Sequence, residues 1–394
     1  MTEFLSFTVA GLSLAAIIAV GASGLVLTYT TTGVFNFAHG ALGMLGAFAY
    51  WQLRFDWGWP TPVAVVVVLL VLAPLAGMFL EVTIFRQLQH TTETIKLVVT
   101  VSLLFSMIGI ANWIWAPQSR FATRFYFGKG FEVLGTRVAY HELITVLVAI
   151  AVAIGLRFLL YGTRSGISMR AAVDDRALSS LHGARPNRIS MLAWAIGTSL
   201  AALSGILFVG TISLDATAIS LLIVNAYAAA MIGRLRSLPL TFLGALILGL
   251  ADGYLKGYLP KLNNQYLGSE FTSAVPVIVL FVVLLLLPSA RLRAAGTLRS
   301  REIIPVPTAR GTAIFAAAII AFAALALPLT TRSNTITLSR VFAVGIVALS
   351  LFPLVGLAGQ VSLCQWSLAG VGAVMMAHMG TNGSAIGVIA AIAV

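Results

Sequence analysis

Runs of about twenty apolar residues recur along this whole chain, each long enough for an α-helix to cross the hydrocarbon core of a bilayer. They fall at about 5–29, 33–51, 61–84, 95–115, 140–161, 190–213, 216–233, 239–257 and 272–288. After a polar interval they resume at about 311–329, 338–357 and 359–380, and another starts near 384. The runs are continuous, whereas the strands of a membrane barrel alternate every second residue. The expectation is therefore an all-α polytopic membrane protein. Only 9% of the 394 residues are charged and mean hydropathy is +1.00, far from a soluble domain. The start of the chain carries Glu3 in place of a basic n-region, and the apolar run after it is too long for a cleavable signal. The single cysteine, Cys364, excludes an internal disulfide and a cysteine-rich metal site.

The net charge of +12 sits in the connectors, which points to orientation in a membrane and not to nucleic acid. Residues 162–189 carry Arg164, Arg170, Arg176, Arg185 and Arg188. Residues 288–310 carry Arg291, Arg293, Arg299, Arg301 and Arg310, and Arg234 and Arg236 lie in a turn between the two. The positive-inside rule assigns all three to the cytoplasm, so the first helix runs inward. The same count puts residues 116–139 outside, although Arg120, Arg124, Lys129 and Arg137 outnumber Glu132 there. A basic outer surface of that kind suits an acidic partner.

One apolar stretch does not read as a plain helix. Residues 31–51, TTGVFNFAHGALGMLGAFAYW, combine Asn36 and His39 with Gly33, Gly40, Gly43 and Gly46. Lipid offers no partner to a broken backbone, so such a stretch belongs in protein or beside a wet cavity. One reading is a broken helix beside a solute path. The other is that the glycines only let neighbouring helices approach. The remaining polar groups inside spans are Asn112, Asp215, Asn225, Gln360, Ser362 and Gln365. Neutral side chains and helix ends suit a polar solute that must bind and leave again; Asn36, His39, Gly40, Asn225, Gln360, Ser362 and Gln365 are the candidate path residues.

Two further patterns stand out. In residues 169–187, MRAAVDDRALSSLHGARPN, the positions Arg170, Val173, Ala177, Leu178 and Leu181 follow an amphipathic helical spacing, with His182-Gly183 as a helix end. A short helix there can dock a protein or rest on lipid headgroups. An internal repeat aligns HGALGMLGA at 39–47 with QWSLAGVGA at 365–373, pairing His39 with Gln365 and Gly46 with Gly372. Both stretches follow a long span that runs inward, as expected of parallel transporter repeats.

The run Gly33-Val34-Phe35-Asn36-Phe37-Ala38-His39-Gly40, with Gly46-Ala47 after it, resembles the opening signature of the permeases of branched-chain amino acid ABC importers, the LivH type. Residues 169–183 and the run Ala201-Ala202-Leu203-Ser204-Gly205 resemble that family's ATPase-contacting loop and following helix. Residues 356–373, GLAGQVSLCQWSLAGVGA, resemble the companion LivM-type permease, which has Gly-His-Gly where this chain has Cys364-Gln365-Trp366. A second departure is Gly233-Arg234-Leu235-Arg236-Ser237, where the LivH type has a glycine-rich turn. The resemblance implies an ABC importer permease fold with parallel permease repeats and broken helices. It divides the chain into a first permease unit, residues 1–288, a basic cytoplasmic linker, residues 289–310, and the start of a second unit, residues 311–394, truncated inside an apolar run. It implies a multi-pass protein of the cell (inner) membrane that moves a hydrophobic amino acid. Its partners are cytoplasmic ATP-binding cassette subunits docked at Arg170, Asp174, Asp175, Arg176, Leu181 and Gly183, an extracytoplasmic solute-binding protein, and membrane lipid. Relatives that carry urea, short amides or aromatic acids leave the substrate class wider than the mechanism.

The residues hold no GxxxxGK[ST] loop, so ATP and Mg belong to the partner subunits and no cofactor is expected here. His39, His90, His141, His182 and His378 are scattered singly, without metal-ligand spacing. Ser362 and Cys364 have no recognisable base, so no enzyme is expected. Asp252 and Lys256 have the spacing of an ordinary i,i+4 ion pair. An ion-coupled secondary transporter requires buried acids, and Asp215 and Asp252 lie near span ends. A passive channel has no need of a docking helix. A sugar-carrying ABC permease lacks the Asn36 to Gly40 signature.

Overall fold

The computed structural model describes residues 2–118, 120–174, 179–180, 185–211, 213–221, 223–259, 269–286, 308–326, 332–356, 362, 364–379, 387–389 and 392. The chain divides into two compact units, Met1–Ala294 and Ala295–Val394. In the first, α1 (Thr2–Thr32) is the central element, and it is buried on every face from Ala15 to Thr28. A helix with no polar stripe is stable only when surrounded. Around it stand α3 (Thr61–Phe85), α4 (Glu93–Trp115), α5 (Tyr140–Gly162), α7 (Pro186–Phe208) and α10 (Leu238–Tyr258). Among the described residues six helices are long and apolar enough to cross a membrane: α1, α5, α7 and α10 over their full lengths, together with Thr61–Phe85 and Ile95–Trp115. Pro186 is the first residue of α7, where its missing N–H costs nothing.

One of the expected spans is not a single helix. Residues 33–51 form a non-helical break followed by the short α2 (His39–Trp51). Within 216–233 the described residues are helical on both sides of Leu222, which lies outside the described residues; the two parts are labelled α8 (Ala216–Leu221) and α9 (Ile223–Ile232). Span prediction reads apolar length alone, and a broken segment inside protein has the same composition as an unbroken one.

Small residues bring the backbones together, as lipid-embedded packing demands. A side chain at Gly11 would lie 2.8 Å from the carbonyl of Gly249 on α10, and one at Gly43 would lie 2.9 Å from that of Ala201 on α7. The Ala201-to-Gly205 run is thus the surface on which α2 lies. Hydroxyls add specific ties: Thr198 donates to Ala73 O at 2.8 Å and Ser199 to Leu69 O at 3.0 Å. Leu69 lies within the π-helical turn Val68–Leu72 of α3 and Ala73 directly follows it.

A second π turn, Glu81–Phe85, ends α3 and aligns residues five apart. Glu81 is fully buried and pairs with Arg86 at 2.8 Å. This buried acid escaped the sequence reading, because at the α-helical period residues 81 and 86 point apart. The outward faces remain apolar, with Leu70, Phe79, Phe105, Ile154 and Phe281 all exposed.

The connector 116–139 contains an antiparallel hairpin, β1 (Gly130–Val133) with β2 (Thr136–Ala139), in register Gly130↔Ala139. Leu134 and Gly135 turn it with positive φ angles. Thr136 donates to Thr2 O, so the hairpin and the chain start share one end of the bundle. At the other end α5 passes directly into α6 (Arg164–Asp174). The last helix of this unit is α11 (Ser269–Leu286). The second unit contains α12 (Ala309–Ala326), α13 (Arg332–Gly356) and α14 (Gln365–Met379).

Candidate functional site

Gly33 ends α1. Its φ of +69° is open to glycine at little cost, and its N–H donates back to Tyr29 O at 2.8 Å, a left-handed helix stop. Thr30, Thr31 and Thr32 donate their hydroxyls to the carbonyls one turn earlier, which occupies acceptors of the last turn. The chain then runs irregularly to Ala38. There Asn36 Oδ1 accepts from Ala38 N–H at 3.0 Å and the Asn36 carbonyl accepts from His39 N–H at 3.2 Å, so a single residue starts α2. The Phe35 carbonyl accepts from Thr100 on α4.

The break returns the chain to the middle of α1. His39 lies against α1 with Nε2 3.0 Å from Gly21 O, so Nε2 carries the proton. His39 Nδ1 and Asn36 Nδ2 are buried without a hydrogen-bond partner among the described residues. Ser220 Oγ on α8 and Tyr227 OH on α9 share that condition. A side chain at Gly40 would strike the Ser220 carbonyl, so α2 and α8 meet backbone to backbone. Below the break Tyr227 stacks on Phe35, centroids 4.4 Å apart and planes at 7°, and Phe37 and Tyr29 close the cluster.

Between α1, α2, α7, α8 and α9 lies a cavity of about 30 Å³, lined by Gly21, His39, Gly43, Ser204, Ile223 and Ala226 among others. That is room for roughly two waters. An amino acid does not fit, so any passage here requires these helices to part. Four buried polar atoms without partners, on the break before α2, on α2 itself, on α8 and on α9, are costly in a structure that only packs, at about 1–3 kcal/mol each. They are an arrangement able to receive a polar guest.

The structure brings Asn36, His39 and Gly40 together. Asn225 is half-buried on α9, beside the cavity residue Ala226. Ser362 and Gln365 belong to the second unit, and Gln360 lies outside the described residues. The local geometry nevertheless repeats. Gln365 opens α14 as His39 opens α2. Ser362 Oγ accepts from Cys364 N–H at 3.2 Å as Asn36 Oδ1 accepts from Ala38, and Leu368 N–H donates to Cys364 O as Leu42 does to Ala38 O. Of the docking residues, Arg170 is exposed on α6 with its guanidinium 4.5 Å from the Tyr161 ring, and Asp174 ends that helix. Asp175, Arg176, Leu181 and Gly183 lie outside the described residues, as does most of the 289–310 linker. Among the described residues no group of three or more His, Cys, Asp or Glu could hold a metal ion.

Sequence reasoning missed Ser220 and Tyr227. The available signal was a tyrosine inside the Ala-rich run AYAAA, beside the Asn225 that was noticed. It also missed Glu81, whose pairing with Arg86 leaves no bare carboxylate there for ion coupling.

Residues 7–286 match the family described as the branched-chain amino acid transport system permease component. The chain is 28% identical over 300 residues to the high-affinity branched-chain amino acid transport system permease protein LivH of Escherichia coli K12, covering 71% of this chain and 92% of that protein. It is 26% identical over 300 residues to LivH of Salmonella typhimurium, with the same coverage of each. It is 24% identical over 303 residues to the corresponding protein BraD of Pseudomonas aeruginosa, covering 73% and 95%. No solved structure matches.

Proposed function

The chain belongs to the branched-chain amino acid transport permease family, and from that premise we propose that the broken helix at residues 33–39 lines the route of a branched-chain amino acid across the membrane. The protein is a multi-pass permease subunit of an ATP-binding cassette importer in the cell (inner) membrane, a transport subunit and not an enzyme. The substrate class is that named for its relatives in Escherichia coli and Pseudomonas aeruginosa. The observation that carries the path reading is the pair of buried nitrogens, Asn36 Nδ2 and His39 Nδ1, left without partners at the start of α2. The N-terminal end of α2 presents partial positive charge, which suits a substrate carboxylate. Removing an apolar side chain from water favours binding without holding the solute by full charge.

In this reading residues 1–288 are one permease unit, residues 289–310 a cytoplasmic linker and residues 311–394 belong to a second unit. The recurrence of the side-chain-capped turn before α2 and before α14 supports a repeat. Gln360, Ser362 and Gln365 are then the second unit's candidates for residues that contact the solute. ATPase subunits, which bind ATP and Mg, dock at α6 and the segment after it, residues 164–189. A solute-binding protein meets the opposite face. The exposure of Arg170 at the end of the bundle away from the hairpin supports the docking assignment.

The test is uptake of leucine by the permease reconstituted with ATPases and binding protein. Asn36→Leu and Gln365→Leu should each lower uptake while leaving assembly intact. Normal transport by both single variants would mean that these residues only pack helices. Urea and short amides in the same assay separate the alternative substrate classes.

A further inference from the structure

The hairpin at the end of the bundle opposite α6 is not explained by transport of any particular substrate. It and the turn before it hold large apolar and aromatic residues outward: Leu134 at the tip is 83% exposed, Phe127 74% and Tyr126 65%. In water such a cluster is unfavourable, and soluble surfaces rarely carry one of this density. Its neighbours explain where it lies. Tyr126 and Phe131 pack their rings on Tyr140, at 6.3 and 6.0 Å between centroids. Tyr140 is the first residue of α5, and it heads a stripe of exposed apolar side chains, Leu143, Leu147, Ile150, Ile154 and Phe158, spaced three or four apart. That stripe is the lipid-facing side of α5. Trp113, 85% exposed, stands at the matching end of α4. The aromatic face of the hairpin therefore continues a lipid-facing surface past the helix end, to the depth where Trp and Tyr collect in membrane proteins. Lys129 and Arg137 are exposed on the same segment, with Glu132 as the opposing charge.

We infer that residues 126–137 form a strap that lies in the membrane interface, with Phe127 and Leu134 among the lipid headgroups and upper acyl chains and Lys129 and Arg137 at lipid phosphates. The occupant of this surface is the bilayer itself, and not an acidic protein. The strap is joined to the bundle interior. Phe125 N–H donates to His141 Nδ1 at 3.4 Å, and the opposite nitrogen of that ring bonds Leu207 O on α7. Arg124 donates to Gly210 O, and Arg120 pairs by its backbone with Leu214 ahead of α8. Lipid contact at the strap thus bears on the connection that leads into α8 and the candidate site. The inference goes beyond the path reading and stands whichever solute is carried.

The experiment uses the full chain in lipid nanodiscs. Cys364→Ala removes the single native thiol, and Leu134→Cys receives an environment-sensitive fluorophore. Its emission should shift to the blue relative to the denatured protein, be quenched by lipids spin-labelled near the headgroup, and be protected from aqueous iodide. Phe127→Cys should report the same. Exchanging phosphatidylcholine for phosphatidylglycerol should deepen the lipid quenching, and Lys129→Gln should reduce that gain. Water-like emission with iodide quenching and no lipid quenching would overturn the inference. Protection that arises only when an acidic solute-binding protein is added would overturn it equally, by giving the surface to a protein.

Discussion

The contact between α2 and α8 can be tested with a single methyl group. In Gly40→Ala the new Cβ would lie 2.8 Å from Ile223 Cβ, where ordinary contact begins at 3.4 Å, and closer still to the Ser220 carbonyl oxygen. Neither contact yields to a side-chain rotation: Ile223 Cβ is fixed by its own backbone and the Ser220 oxygen is backbone, so α8 and α9 must move. Overpacking of this kind costs about 1–3 kcal/mol. The control is Gly109→Ala on α4, where nothing lies within 4 Å of the added Cβ. There the exchange removes a helix-weakening glycine and should stabilise by up to about 1 kcal/mol. Thermal unfolding in nanodiscs should therefore move in opposite directions for the two variants. Leucine uptake should fall for Gly40→Ala and stay near wild type for Gly109→Ala. Equal stability and equal uptake for both would refute the close approach of α2 and α8, and with it the site built on their junction.

Three further outcomes are expected. Tyr227→Phe removes a buried hydroxyl that has no partner, so stability should hold or rise by up to about 1–3 kcal/mol while uptake falls; unchanged uptake would make Tyr227 a packing residue. Arg86→Ala strands the fully buried Glu81 and should cost about 3–5 kcal/mol, whereas Glu81→Ala leaves an arginine that is 35% exposed and should cost less; the reverse order by thermal unfolding would contradict the pair. Thr198→Val removes the hydroxyl bond from α7 to Ala73 on α3 and should cost about 0.6 kcal/mol, the typical worth of an interhelical hydrogen bond in a membrane, read as a small drop in Tm.

The sequence alone determined the class of this protein. Apolar runs of helical length leave few alternatives, because lipid cannot satisfy a bare backbone. It also located the break. Gly33, Asn36 and His39 are local signals, and their effect on the chain is local: a left-handed stop, a side-chain-capped turn and a helix start. The signature at 33–40 carried the family as well, and the match over residues 7–286 agrees.

What faces the break was decided only by the tertiary structure. Every helix here is rich in Gly, Ala and Leu, so composition does not say that Gly40 meets Ser220 or that Gly205 meets Gly43. Nor does it separate core from lipid-facing surface, since both are apolar. Tyr227 becomes a candidate only through the ring of Phe35 stacked on it, a contact between residues far apart in the chain. Glu81 and Arg86 looked unrelated until a π turn brought residues five apart onto one face. Local chemistry sets where a chain bends. Which surfaces then touch depends on backbone approaches of a few tenths of an ångström, summed over helices distant in sequence, and no single stretch encodes them.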